Sequence, residues 1–264
     1  MKGLPQTTFD NPESYERFMG RWSAKLADLF LDFARVSDAE RLLDVGSGTG
    51  NLALAIVRRW PHARVVGIDP SPSYVAFARS RVRPGLQFET GDAQALPFQD
   101  KSFDCALSQL VFNFIPDARK ALAQMRRVTR PGGVVAVAMW DLAHSGMRML
   151  ASFWEAVGPA DAVRASERVT AYTKEEVTAM WNEAGLAHVE TTDLTIATDF
   201  ASFADYWSPF LLGQGPAGSY AAALPDDERD ALAQRLRTLV LGDRADGAFS
   251  LPARAFAIRG IVPA

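Results

Sequence analysis

Hydrophobic and polar positions follow two periods along this chain, and the period switches several times. Between residues 10 and 40, Trp22, Leu26, Leu29 and Phe33 recur at helical spacing, which predicts a helix with one buried face. Leu42-Leu43-Asp44-Val45 is a short apolar run that ends in glycines and reads as a strand. Leu52, Ala55, Ile56 and Trp60 return to helical spacing, and residues 64–69 form a second short strand pattern. Ser71-Pro72 predicts a helix start, since serine caps and proline suits the first turn. Val75, Ala78 and Val82 are the expected buried stripe of that helix. Residues 86–89, 103–108 and 134–139 read as further strands, with a helix over 117–129 between the last two. Alternation of strand and helix implies parallel βαβ units in a doubly wound α/β sheet.

The last third is patterned differently. Thr173-Lys174-Glu175-Glu176 fits a capping box, and Gly185 ends the helix that it starts. Residues 186–198 predict a long strand. Six aromatics then fall between 200 and 220: Phe200, Phe203, Tyr206, Trp207, Phe210 and Tyr220. Gln214-Gly215-Pro216-Ala217-Gly218 is expected to be a turn or loop. A helix over 226–241 carries Leu232, Leu236 and Leu239 on one side, and 249–262 is the final strand. Pro131-Gly132-Gly133 reads as a tight turn before the fifth strand.

The candidate chemistry begins at Asp44-Val45-Gly46-Ser47-Gly48-Thr49-Gly50-Asn51. Glycines let a backbone turn sharply and let a ligand approach it closely. A doubly wound sheet binds ligands at the carboxyl ends of its strands, where this loop lies. The dinucleotide fingerprint is G-x-G-x-x-G, and here Asn51 stands in place of its third glycine. Asp44 opens the loop, and a carboxylate beside a pyrophosphate is repelled. A cationic ligand suits it, and S-adenosylmethionine carries an ammonium and a sulfonium but no phosphate. Asp69 ends the second strand, where a carboxylate can accept both ribose hydroxyls. Asp92 ends the third, where it can accept the adenine amino group. Taken singly, each feature has a plain alternative: a turn for the glycines and a helix cap or turn for the acids.

Composition narrows the reading. The chain has 264 residues, enough for a core without staples. With 28 Lys+Arg against 31 Asp+Glu, no basic excess points to nucleic acid. Cys105 is the only cysteine, and His62, His144 and His188 have no metal-ligand spacing, so no metal is expected. No apolar run is long enough to span a bilayer, and the expectation is a cytoplasmic protein.

Four segments together resemble class I S-adenosylmethionine-dependent methyltransferases, nearest the branch of ubiquinone and menaquinone biosynthesis and other small-molecule enzymes. They are residues 42–51; Val66-Gly67-Ile68-Asp69; residues 91–104, with Gly91-Asp92-Ala93 and Leu96-Pro97-Phe98; and Arg126-Arg127-Val128-x-Arg130-Pro131-Gly132-Gly133. The likeness is strong over 38–141. It implies a Rossmann-like, seven-stranded, mostly parallel sheet with the last strand antiparallel, S-adenosylmethionine as cofactor and S-adenosylhomocysteine as product. It also implies that Gly46, Ser47 and Gly48 line the methionine moiety with Asp44 near its ammonium. Asp69 then binds the ribose, Pro70 packs on the adenine, and Asp92 and the Ala93 N–H read its edge. The Gln109 carbonyl holds the ammonium, and Tyr15 or Arg21 closes over the cofactor.

The methyl acceptor is expected to be a small, partly apolar or aromatic molecule. Its contacts are expected from Asn113, Trp140 and Asp141 at the rim and from Tyr206, Trp207 and Phe210, with core packing as the alternative for the last three. His144, after the fifth strand, is a base, a substrate contact or an ordinary loop residue. Residues 1–37 are expected to form a helical lid. The core is expected over 38–198 and 249–264, and a helical, aromatic-rich insertion over 199–248. Two other readings stand beside this one: a cofactor-binding module without catalysis, and a nicotinamide oxidoreductase, which Asn51 and the acids disfavour.

Overall fold

A computed structural model describes residues 11–36, 41–159 and 169–264. Parts of the expected lid and core, residues 1–10, 37–40 and 160–168, lie outside the described residues. Seven strands make one sheet: β1 Arg41–Val45, β2 Arg64–Asp69, β3 Leu86–Thr90, β4 Phe103–Gln109, β5 Thr129–Trp140, β6 Ala187–Phe200 and β7 Phe249–Ile261. Their order is β3-β2-β1-β4-β5-β7-β6. β1 to β5 pair in parallel, and β7 runs antiparallel between β5 and β6. This is the doubly wound, Rossmann-like methyltransferase arrangement that the sequence implies.

The two faces of the sheet follow from strand parity. Cys105, Leu107, Ala136 and Ala138 point to one core, while Ala106, Val135, Val137 and Met139 point to the other. The first core takes Leu26 and Phe30 from the helix Arg21–Ala34, Ile56 from Asn51–Arg59, and Phe153 from Arg148–Val157. The second takes Leu122 and Met125 from Ala118–Val128, and Val177 and Trp181 from Lys174–Glu183. Both faces of the parallel strands are covered, so these strands read as continuous apolar runs. Ser71, Asp117 and Thr173 cap their helices, and Thr173 with Glu176 completes the capping box.

Several local expectations are corrected. Leu29 is exposed, because the buried arc of its helix is set by Trp22, Leu26 and Phe30 with Ala27, Leu31 and Ala34 beside them. Val82 is exposed because the helix Pro72–Ser80 ends before it. Leu239 is exposed on a helix that buries only Leu232, Leu236 and Leu241. Pro131-Gly132-Gly133 is not a turn ahead of β5 but an irregularity inside it. Between the pairs Phe103↔Thr129 and Cys105↔Val134 the register shifts. Residues 214–218 are also not a loop: Gly215–Ala223 is helical, with Gln214 at its N-cap and Pro216 in its first turn. Gly218 lies inside that helix, at a position where a Cβ would stand only 3.0 Å from the Gly213 carbonyl carbon.

Candidate functional site

The glycine loop sits between β1 and the helix Asn51–Arg59. The Gly46 and Ser47 N–H groups both donate to the Ile68 carbonyl, at 2.7 and 3.0 Å, so the loop folds over the end of β2. Gly46 has φ +73°, and a Cβ there would meet the Val111 side chain at 2.3 Å. Only glycine fits that position. At Gly48, φ +52°, a Cβ would come no nearer than 3.8 Å to its closest neighbour, the Tyr74 ring, so this stretch of backbone is open to a ligand.

Asp69 closes the loop from β2. Its Oδ2 accepts from the Gly48 N–H and its Oδ1 from the Ser71 N–H, both at 2.9 Å. Burial pushes its carboxyl above the usual carboxylate range, against the lowering by these two hydrogen bonds. Asp44 lies beneath the loop, buried, and accepts from the Ala53 N–H at 3.2 Å. Burial pushes it up to about 7, and Asp69 nearby adds to the rise.

A cavity of about 1500 Å³ opens at the carboxyl ends of the strands. Drug-sized ligands occupy pockets of roughly 300–1,000 Å³, so there is space for a cofactor and a second molecule together. Of the expected site residues, Tyr15, Gly46, Gly48, Asp69, Pro70, Asp92, Ala93, Gln109, Asn113 and Trp140 line it. At its β3 end, Asp92 accepts from the backbone N–H of Gln94 at 2.8 Å and from its side-chain amide at 3.0 Å. These bonds hold Asp92 below the usual carboxylate range. At the β4 end, Gln109 Nε2 donates to the Ser23 carbonyl and hydroxyl, each at 3.0 Å. Leu110 follows with φ +64°, a strained value for a residue with a side chain, on the cavity wall. Asn113 Nδ2 donates to the Thr170 carbonyl at 2.6 Å, which ties residues 169–171 to this wall.

Other expected residues are placed elsewhere. Asp44 is buried under the loop and Ser47 within it, both off the cavity wall. Arg21 pairs with Asp205 at 3.1 Å and covers the Trp22 ring at 4.3 Å, away from the cavity. Asp141 is held by Arg254 at 2.7 Å and by His144 Nδ1 at 2.9 Å, and neither Asp141 nor His144 is on the wall. Desolvation raises the Asp141 carboxyl, but the hydrogen bonds from His144 and Arg254 together outweigh it and hold the group below its usual range. Tyr206 and Phe210 are fully buried core, and half-buried Trp207 packs against them. Phe210 stacks on Phe153 at 4.6 Å, and the Tyr206 hydroxyl donates to the Met149 carbonyl at 2.9 Å. What the 199–248 stretch brings to the cavity is Gly215, Pro216 and Ala217.

The cavity also has walls that sequence reasoning missed. Phe18 and Met19 follow Tyr15 at i+3 and i+4, one helical face, which was a readable signal. Tyr74 stacks obliquely on Tyr15, ring centres 5.4 Å apart, and its hydroxyl donates to Gln214 Oε1 at 3.4 Å. Glu16 binds the loop from outside: it accepts from Thr49 Oγ1 at 2.5 Å and Asn51 Nδ2 at 2.8 Å. Arg148 and Trp154 had no local signal. Among the described residues, no group of His, Cys, Asp and Glu is placed to hold a metal ion, and no helix is long and apolar enough to cross a membrane.

Residues 43–137, which include the glycine loop, Asp69, Asp92 and Gln109, match the family model described as a methyltransferase domain. The chain is similar to the demethylmenaquinone methyltransferase of Thermus thermophilus, 41% identical over 120 residues that cover 44% of this chain and 53% of that protein. It is also similar to the trans-aconitate 2-methyltransferase of Deinococcus radiodurans, 36% identical over 127 residues and 48% of each chain. The chain thus spans about half the length of the curated relatives it matches. In fold, it is similar to phosphoethanolamine N-methyltransferase 2 of Haemonchus contortus, solved with S-adenosyl-L-methionine. That likeness has a TM-score of 0.63 at 18% identity and covers 96% of this chain and 57% of that one.

Proposed function

We propose that the protein transfers a methyl group from S-adenosylmethionine to a small, partly apolar or aromatic molecule. The observation that carries this reading is the division of the cavity. One end has an open glycine backbone, Asp69 and Asp92; the other has an apolar wall of Trp140, Leu142, Met147, Leu150 and Trp154. The residues present fit the cofactor. Asp69 Oδ1 and Oδ2 already accept N–H donors and can accept ribose hydroxyls, and Asp92 and Ala93 stand where an adenine edge would be read. The Gln109 carbonyl region and the Gly46–Gly48 backbone would take the methionine end.

When bound, the cofactor supplies an activated methyl for in-line displacement, with S-adenosylhomocysteine as the leaving product. The chain's own part is to align the acceptor and exclude water. The helices from Pro12 to Ala34 and the start of the helix Gly215–Ala223 serve as cover, with Tyr15 and Tyr74 packed together over the cofactor end. Asp141 and His144, off the wall, are not assigned to the reaction, and no general base is assigned. The apolar space beside the cofactor end favours turnover over a binding-only module. A cytoplasmic setting suits the buried free thiol of Cys105. Calorimetry tests the reading: S-adenosylmethionine and S-adenosylhomocysteine should bind in the micromolar range and NADH should not. Turnover of any acceptor from a panel of small aromatic and apolar molecules separates an enzyme from a binding module.

A further inference from the structure

The cavity wall carries acids at both ends, Asp69 and Asp92 at one and Glu155 at the other, but among the described residues a cation at the Glu155 end alone. Asp69 and Asp92 stand at the ends of β2 and β3, whereas Arg148 opens the helix that follows β5. β2 and β5 are three strand spacings apart in the sheet, roughly 14 Å. Among the described residues, Arg148 is the one Lys or Arg on this wall. Its Nη2 reaches Ser152 Oγ at 3.3 Å and Glu155 Oε2 at 3.4 Å, while Nε and Nη1 make no hydrogen bond among the described residues. Both members of the Arg148–Glu155 pair are about half exposed, at 40% and 55%. Such a pair is weak and can be exchanged for a better one. Apart from Glu155, the wall residues between positions 147 and 155 that flank Arg148 are apolar: Met147, Leu150, Ala151 and Trp154.

We propose that Arg148 selects the methyl acceptor, and that the acceptor is an apolar or aromatic molecule carrying one carboxylate. The inference rests on the methyltransferase reading above and adds the charge of the substrate. Once the Glu155 contact is exchanged, Nη2 and an adjacent nitrogen of the planar guanidinium match the two oxygens of a carboxylate, a geometry that lysine does not reproduce. The surrounding wall lowers the local dielectric and strengthens that pairing relative to water. The one cation among the described wall residues accommodates one anionic group, and the apolar positions beside it disfavour further charges. Asp69 and Asp92 repel the same carboxylate from the opposite end, and Glu155 competes with it for Arg148 at the near end.

The test is calorimetry on protein saturated with S-adenosylhomocysteine, titrated with 2-naphthoate or with 2-naphthamide, its neutral counterpart of the same shape. The parent should prefer the carboxylate by tenfold or more. Arg148→Gln should remove that preference and still bind S-adenosylhomocysteine like the parent, and Arg148→Lys should keep part of it. Glu155→Gln, which frees the guanidinium, should widen it. A parent that binds the two compounds equally, or neither, overturns the proposal, as does a preference that survives in Arg148→Gln. If Arg148→Gln instead loses S-adenosylhomocysteine, the guanidinium serves the cofactor and the proposal also falls. Failure of the parent to bind S-adenosylhomocysteine is a separate result, measured first, and refutes the methyltransferase reading itself.

Discussion

The Asp69 carboxylate holds the Gly48 N–H at 2.9 Å, so the acid expected to bind a ribose already braces the loop expected to bind the methionine moiety. One side chain thus shapes both halves of the cofactor end, and its removal should be felt twice. Asp69→Ala should weaken S-adenosylhomocysteine binding by ~1.5–3 kcal/mol, the usual scale for losing hydrogen bonds to a charged group. Asp69→Asn, which keeps one acceptor oxygen, should lose less. Calorimetry on both variants, with circular dichroism to establish that they are folded, measures this. Parent-like affinity in a folded Asp69→Ala would remove the ribose assignment.

Asp44 gives the protein a dependence on pH. Its carboxyl rises from 3.8 to about 7 on folding, chiefly through burial. The folded chain therefore holds a proton that the unfolded chain releases, and stability falls as pH rises through that window. Above about pH 7 the loss is complete. Asp44→Asn keeps the shape and cannot ionise, so it should be more stable than the parent at pH 8 by about 2–4 kcal/mol, and by much less at pH 5. Denaturant unfolding of the two proteins at each pH decides the matter. A gain of equal size at both values would mean that Asp44 does not titrate in this range.

Glu16 fastens the N-terminal helical segment to the glycine loop through Thr49 and Asn51, with Arg81 3.4 Å away as counter-charge. Glu16→Ala should leave the sheet intact but release the segment 12–20. Hydrogen exchange there should accelerate at least tenfold, because local opening costs less once these bonds are gone. Affinity for S-adenosylhomocysteine should drop several-fold, since Tyr15 is on the same segment and on the cavity wall. Unchanged exchange in 12–20 would show that apolar packing alone retains it.

Phe210 should behave as core. It is fully buried and stacked on Phe153, so Phe210→Ala should destabilise the fold by ~3–5 kcal/mol. Half-buried Trp207 should cost less on truncation. Neither change should alter the ranking of acceptors in a turnover assay. A folded Trp207→Ala with changed acceptor ranking would return the aromatic stretch to the site.

Much of this molecule was legible from short stretches of chain. Each strand and each helix of the sheet layer depends on a period of two or 3.6 residues and on caps such as Ser71 and Thr173, all of which act over a few positions. The turn at Gly46–Gly50 depends on backbone conformations open mainly to glycine, and these too are local. Even the burial of Asp44 had a signal: it shares strand parity with Leu42, which packs into the core. The destinations of the other side chains were settled by tertiary structure. Helical spacing showed that Tyr206 and Phe210 share a face but not that Phe153 covers it. Arg21 looked like a lid residue until Asp205, 184 positions away, claimed its guanidinium. Arg148 and Trp154 reached the cavity only because their helix packs against β7 and the helix Asp226–Leu241. A cavity wall is made where distant segments meet, and which of them meet depends on the packing of the whole chain rather than on any local pattern.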